Sequence, residues 1–306
     1  MSDKTIYPEL SVIIPTLNAA GYLPKLFNRI FEQSPSPPLE VILIDSNSTD
    51  ATREIADADK RVKLVTIDNF THGGARNMGA RLATGAIVVY LTQDALPSDN
   101  NWLSNLIEPF SNENVAAVCS RQIPYDNSSP MEKFFLAKRF SDKRIERNLK
   151  SLENIGYEEV LFSDVSCAIR RTALIEHPFD ETLIMSEDQQ FSRDVIQAGL
   201  TVVYEPNSIV THSHKYTLWQ TFKRYFDSIY ALRVIFKDQD MKSSAKMGQK
   251  YVIEELKYIA LKHPFWLPYY FVYTSVKVVA TIMAHYVEYL PKWLLQKISM
   301  HAYHWK

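Results

Sequence analysis

"LEVILIDSNSTDATREIADADKRVKLVTI", residues 39–67, decides the fold. An apolar, β-branched run ends at Asp45 and gives way to the polar turn "SNSTD". "STDATREIADA" (48–58) then reads as a helix, with Ser48, Thr49 and Asp50 as capping candidates, and "RVKLVTI" (61–67) returns to a strand. Strand, helix and strand in so short a span form the unit that joins parallel strands. The same rhythm extends outward. "LSVIIPT" (10–16) precedes "AAGYLPKLFNRIFEQ" (19–33), helical in spacing despite Pro24, and "GGARNMGARLATG" (73–85) precedes the strand "AIVVYL" (86–91). The expectation is an α/β protein with a largely parallel, Rossmann-like sheet covered by helices on both faces.

Ligands of such sheets bind beyond the carboxyl ends of the strands. The polar residues at those ends are Thr16 and Asn18, Asp45 and Asn47, Asn69 and His72, and Asp94 within "YLTQDALP" (90–97). All four groups are expected along one edge. After residue 120 the alternation fades. The segment 131–150 is basic and helix-like, "DVSCAIRRTAL" (164–174) returns to a strand, and "SEDQQFSRDVIQAGL" (186–200) reads as a helix stopped by Gly199. "TVVYEP" (201–206) and "SIVTHSH" (208–214) read as two short strands.

The chain has 306 residues and a formal net charge of −1, so no global basic field points to nucleic acid. Cys119 and Cys167 form no CxxC pair and read as buried thiols in a reducing compartment. The polar start carries no targeting pattern, so the expected location is the cytoplasm. There is no GxxxxGK[ST], no GxGxxG after the first strand and no GxSxG. Those absences count against the usual nucleoside triphosphatase, dinucleotide and hydrolase uses of this architecture.

What remains is a set of acids and histidines. Asp94 is a hard oxygen ligand at a strand end, suited to Mg²⁺ or Mn²⁺ beside substrate phosphates, and equally an ordinary loop acid. His212 and His214 stand two residues apart, and imidazole beside a carboxylate favours Mn²⁺. Glu187 and Asp188 open a helix, where acids are common for dipole reasons, and either suits proton abstraction from a hydroxyl. Gly73 and Gly74 permit close backbone approach to a ligand, and Arg76 suits a diphosphate or Asp94.

In this order and spacing, "SVIIPTLNAAGYL", "VILIDSNSTDAT", "GGARNMGARLATG", "YLTQDALP" and "SEDQQF" resemble the family 2 glycosyltransferases of the GT-A fold. "FTHGGARNMGA", "FSDVSCAIRR" and "HSHKYT" are most similar to bacterial rhamnosyltransferases that use dTDP-L-rhamnose. The match spans about 9–215. The resemblance implies a catalytic domain over 1–215, followed by a helical region over 216–306. It implies that Pro15, Thr16, Asn18 and Asp45 hold base and ribose, with Asn47, His72, Arg76, Thr92, Gln93 and Asp94 completing the nucleotide-sugar site. Asp94 would bind a divalent ion with His212, or with His214 in its place. Thr92 stands where the family carries the first of two acids. Asp188 would be the base supported by Glu187, and Asp164 would touch the acceptor. The expected chemistry is one inverting displacement, from dTDP-β-L-rhamnose to an α-L-rhamnoside, on an acceptor carried by polyprenyl diphosphate. Alternatives are a family 2 enzyme using a UDP-hexose or UDP-N-acetylhexosamine, and a non-catalytic sugar-nucleotide-binding protein.

The tail, residues 263–298, is dense in aromatics flanked by lysines. Pro268, Lys277, Glu288 and Pro291 interrupt its apolar runs, so no uninterrupted stretch is expected to span a bilayer. Residues 262–306 suit peripheral contact with the inner face of a membrane, or helices packed on the domain or in a homodimer.

Overall fold

The computed structural model describes residues 10–34, 38–150, 160–236 and 241–306, with side chains omitted at 241–247. The polar start, residues 1–9, lies outside them. The described residues form two compact units. The first holds those up to Ile123 together with Phe140–Thr182 and Glu187–His212. The second holds Pro124–Arg139, Leu183–Ser186 and Ser213–Lys306.

The first unit opens as the sequence predicts: β1 (Leu10–Thr16), α1 (Leu23–Phe31), β2 (Leu39–Asp45), α2 (Thr52–Ala58), β3 (Val62–Thr66), α3 (His72–Leu82) and β4 (Ile87–Leu91). Pro24 sits in the first turn of α1, where its missing N–H costs nothing. That helix buries Leu23, Leu26, Phe27 and Ile30, one stripe at helical spacing. Each is worth roughly 1.5–3 kcal/mol when removed from water. β3, β2, β1 and β4 are consecutive parallel neighbours, with Thr16 opposite Asp45 and Asp45 opposite Thr66. Their carboxyl ends therefore align, as the strand-end residues required.

Beyond β4 the sheet becomes mixed. β5 (Leu96–Pro97), α4 (Trp102–Ile107), β6 (Val115–Ile123), β7 (Ile145–Arg147), β8 (Ser166–Arg170), α6 (Arg171–Glu176), α7 (Glu187–Gln197) and β9 (Thr201–Thr211) complete this unit. The helix α5 (Pro130–Arg139) interrupts it in sequence and belongs to the second unit. The order is β3-β2-β1-β4-β8-β6-β9-β5, and β7 pairs with β9. β8 runs antiparallel to both β4 and β6, while β6 and β9 are parallel. Cys119 and Cys167 face one another across β6 and β8 as buried free thiols.

Three expectations change. The two strands expected over 201–214 are one, because Pro206 and Asn207 fall in a bulge where the register jumps from Ser120–Glu205 to Arg121–Ile209. The basic helix expected over 131–150 stops at Arg139, and Ile145–Arg147 instead pairs with β9. Segment 124–139, expected within the catalytic domain, packs with the C-terminal helices. Met131 shares a buried cluster with Ile259 and Tyr270, and Lys138 pairs with Glu254 at 2.6 Å.

The second unit continues with α8 (Leu218–Ile235), α9 (Met241–Lys262), α10 (Leu267–His285) and α11 (Lys292–Ile298). Thr217 and Gln220 form a capping box at the start of α8. Contrary to expectation, residues Pro264–His285 make a helical segment long and apolar enough to cross a membrane, although little of it, 22%, is buried.

Candidate active site

At the parallel strand ends, many expected ligand residues turn inward. Asp45 is fully buried. Its carboxylate accepts the Ser48 N–H (2.9 Å) and the Thr16 hydroxyl (3.3 Å). Asn18 accepts the Thr49 N–H at 2.9 Å, and Asn47 donates to the Ile67 carbonyl at 3.2 Å. These contacts lash the loops after β1, β2 and β3 together. Asn18 (φ 52°), Asn47 (φ 60°) and Ser186 (φ 65°) are the non-glycine residues with positive φ among the described residues. Two close the strand-end loops and the third immediately precedes Glu187, a placement typical of functional sites. Pro15 lies half-buried at the end of β1. Gln93, expected to touch the donor, instead holds Leu17 by its N–H (2.8 Å) and its carbonyl (3.1 Å).

Asp94 and His212 meet. Asp94 Oδ2 lies 3.6 Å from His212 Nε2. The other ring nitrogen, Nδ1, is 2.9 Å from Gln122 Oε1, while Gln122 Nε2 donates to Ser163 Oγ at 2.8 Å. With that amide orientation Nδ1 donates to Gln122, and Nε2 is the ring nitrogen turned towards Asp94. Two lone-pair donors at this separation, with the histidine oriented by an outer hydrogen bond, are the arrangement a divalent ion requires. Thr92 supplies no second acid; its N–H donates to the Val165 carbonyl at 2.9 Å and so anchors the Asp94 loop. His214 belongs to the second unit, where its ring stacks on Tyr216.

The helix start at α3 has a different task from the one expected. Thr71 caps it, accepting the Gly74 N–H at 2.9 Å. A Cβ on Gly73 would come within 2.7 Å of the Asp180 carbonyl, and one on Gly79 would overlap Ile13. A Cβ on Gly74 would lie 2.7 Å from Thr71 Oγ1, so Gly73 and Gly74, expected to let a ligand approach, lie against the chain itself. His72 packs edge-on against Phe70. Arg76, expected at the diphosphate, is buried, with Nε 2.6 Å from Asp164 and Nη1 3.0 Å from Glu187. Asp164, expected at the acceptor, is its partner in this buried pair. Burial alone lowers the Arg76 pKa, but Asp164, Glu187 and Asp188 more than offset it and hold the guanidinium charged. Burial pushes the Glu187 carboxyl up, Arg76 pulls it down, and Asp188 adds to the rise.

Asp188 differs from its neighbour. It is half-exposed in the first turn of α7 and accepts the Gln189 N–H at 2.8 Å. Two adjacent acids in such unlike surroundings are suited to unlike roles, the buried one positioning and the exposed one exchanging protons.

One segment joins all of this; the motif "FSDVSCAIRR" flagged it, but only Asp164 in it was given a role. In Phe162–Val165, the Phe162 carbonyl accepts from Gln189 in α7 and Ser163 accepts from Gln122 behind His212. Asp164 holds Arg76, and Val165 holds Thr92. Polar Ser163 and Asp164 just before an apolar strand were the available signal.

The family model for glycosyl transferase family 2 matches residues 11–177. The chain is 31% identical to the O-antigen chain rhamnosyltransferase RfbN of Salmonella typhimurium, over 97% of this chain and 96% of that protein. It is 30% identical to the O-antigen chain rhamnosyltransferase WbaN of Salmonella anatum over the same shares. Among solved structures, it resembles the mannosyltransferase PcManGT of Pyrobaculum calidifontis, solved with GDP-Man and Mn²⁺. The TM-score is 0.58 at 19% identity, covering 98% of this chain and 86% of that one.

Proposed function

Because this chain belongs to glycosyl transferase family 2 and has the GT-A fold, we propose that it moves L-rhamnose from dTDP-β-L-rhamnose to a saccharide hydroxyl. The acceptor is a glycan on a polyprenyl diphosphate carrier, met in the cytoplasm. Full-length similarity to two O-antigen chain rhamnosyltransferases supports the donor sugar and the acceptor class. The observation that carries the chemistry is the division between Glu187 and Asp188. Asp188 takes the proton from the acceptor hydroxyl as its oxygen bonds to the anomeric carbon. The bond from that carbon to the diphosphate oxygen breaks on the opposite face, and dTDP leaves with the electron pair. One displacement inverts the centre, β to α. General-base help of this kind is worth roughly 10²–10⁴ in rate.

Asp94 and His212 would hold Mn²⁺ or Mg²⁺, with His214, two residues along the chain, as the sequence's alternative histidine. The imidazole favours Mn²⁺, and that ion accompanies the donor in the mannosyltransferase neighbour. When bound, the ion supplies positive charge against the departing diphosphate. The chain's own part is to orient the histidine through Gln122 and Ser163 and to keep Asp94 in place through Thr92 and Val165.

Thermal stabilisation across nucleotide sugars tests the donor. A shift that is largest with dTDP-L-rhamnose and grows with Mn²⁺ is expected. An equal or greater shift with UDP-glucose, UDP-galactose or UDP-N-acetylglucosamine would refute the rhamnosyl assignment.

A further inference from the structure

Helix α10 is inside out. Its buried side presents Tyr270, Lys277, Ala280 and Ala284 to the rest of the second unit. Lys277 Nζ lies 3.6 Å from the fully buried Glu255, and between 4.8 and 5.2 Å from the ring centres of Tyr225, Tyr251 and Tyr273. The Tyr270 hydroxyl donates to the Val252 carbonyl at 3.0 Å. Lys277 and Tyr270 on this side therefore find their partners within the unit.

The opposite side is apolar and open. Phe271 is 57% exposed, Val279 49% and Ile282 52%, at spacings that keep them on one face. The exposed apolar surface continues before the helix at Phe265 (97%) and after it at Tyr289 (81%) and Trp293 (65%). A water-facing helix normally carries charge on that side. Large apolar side chains gathered on one exposed helix face mark an interaction site.

Charge decides what covers it. From residue 262 to the end there are five lysines and one acid. The acid, Glu288, is paired with Arg233 at 3.1 Å, and one lysine, Lys277, is buried. Lys262, Lys292, Lys297 and Lys306, in the segments just before and after α10, are exposed. Aromatic rings and aliphatic groups rimmed by lysines complement an anionic lipid surface.

We propose that the outward face of α10, with its flanking aromatics, lies flat on an anionic bilayer. The helix does not cross it, although its length and hydropathy allow that. Crossing would strip Lys277 from Glu255 and its three tyrosines and carry a lysine into hydrocarbon, and charged side chains there are costly. The proposal is independent of the transferase chemistry, because binding is read without donor or acceptor.

Flotation of the full chain with vesicles tests it. Wild type is expected to float with phosphatidylglycerol–phosphatidylethanolamine vesicles, more weakly with phosphatidylcholine, and to be released by alkaline carbonate. Val279→Glu with Ile282→Glu should lower the bound fraction at least tenfold, while the melting temperature and its shift with dTDP stay unchanged. Lys292→Glu with Lys297→Glu should weaken binding to the anionic vesicles selectively. The proposal fails if wild type does not float, or if it resists carbonate as a spanning segment does. It fails equally if the Val279/Ile282 variant floats like wild type but dissociates a dimer, which would make the face an interface between copies.

Discussion

Asp188→Asn is expected to reduce sugar transfer about 10²–10⁴-fold while dTDP and Mn²⁺ still raise the melting temperature as in wild type. The substitution keeps the size of the side chain and its place at the start of α7, where an amide oxygen can still accept the Gln189 N–H. What it removes is the group that accepts the acceptor's proton. Steady-state transfer beside a dTDP-dependent thermal shift separates the two properties. Turnover near the wild-type rate would show that the proton goes elsewhere, and a non-catalytic binding protein would show no turnover before the substitution either. Glu187→Gln makes a useful contrast, since Glu187 is buried against Arg76 rather than half-exposed.

Arg76→Met should be the most destabilising single change at the site. It leaves Asp164 and Glu187 buried without a counter-charge, and breaking a buried pair in this way costs about 3–5 kcal/mol. A fall in melting temperature on the order of 10 °C is the expected reading. The penalty should depend on pH. Glu187 already has a folded-state pKa raised by burial, and without the guanidinium it rises further. A carboxyl with a raised folded pKa favours the folded state when protonated, so its contribution is greatest below its unfolded pKa and is lost as pH rises through the folded one. The gap in melting temperature between variant and wild type should therefore narrow on acidification from pH 8 towards 5. Adding Asp164→Asn and Glu187→Gln to Arg76→Met removes both stranded charges and should restore most of the stability. Because the triple variant also removes the charges beside Asp188, it should fold yet transfer more slowly than wild type.

The parallel half of the sheet was legible because its apolar runs stop at polar residues, and strands with this spacing allow little choice of topology. Thr16, Asn18, Asp45 and Asn47 were correctly assigned to one edge by the same logic. The orientation of a charged side chain leaves no such trace. Asp45 read as ligand-facing from its strand end, Arg76 from its fit to a diphosphate and Asp164 from the family resemblance, yet each is buried with partners distant in sequence that make burial tolerable. Arg76 and Glu187 are 111 positions apart, which no local pattern can reveal. Gly73 and Gly74 show the same limit, since a glycine signals close approach without naming the approaching group. The tail was legible in composition only. That α10 turns its polar side inward and its apolar side outward emerged from the packing of Lys277.

The anomeric configuration of the product, read by NMR after reaction of dTDP-β-L-rhamnose with a polyprenyl-diphosphate-linked oligosaccharide, tests the inverting displacement most directly. Asp188 acting as base in a single displacement gives an α-L-rhamnosyl product, formed by the wild type in the presence of Mn²⁺. A β-linked product, or transfer from a UDP-hexose with dTDP-L-rhamnose left unused, would contradict this reading.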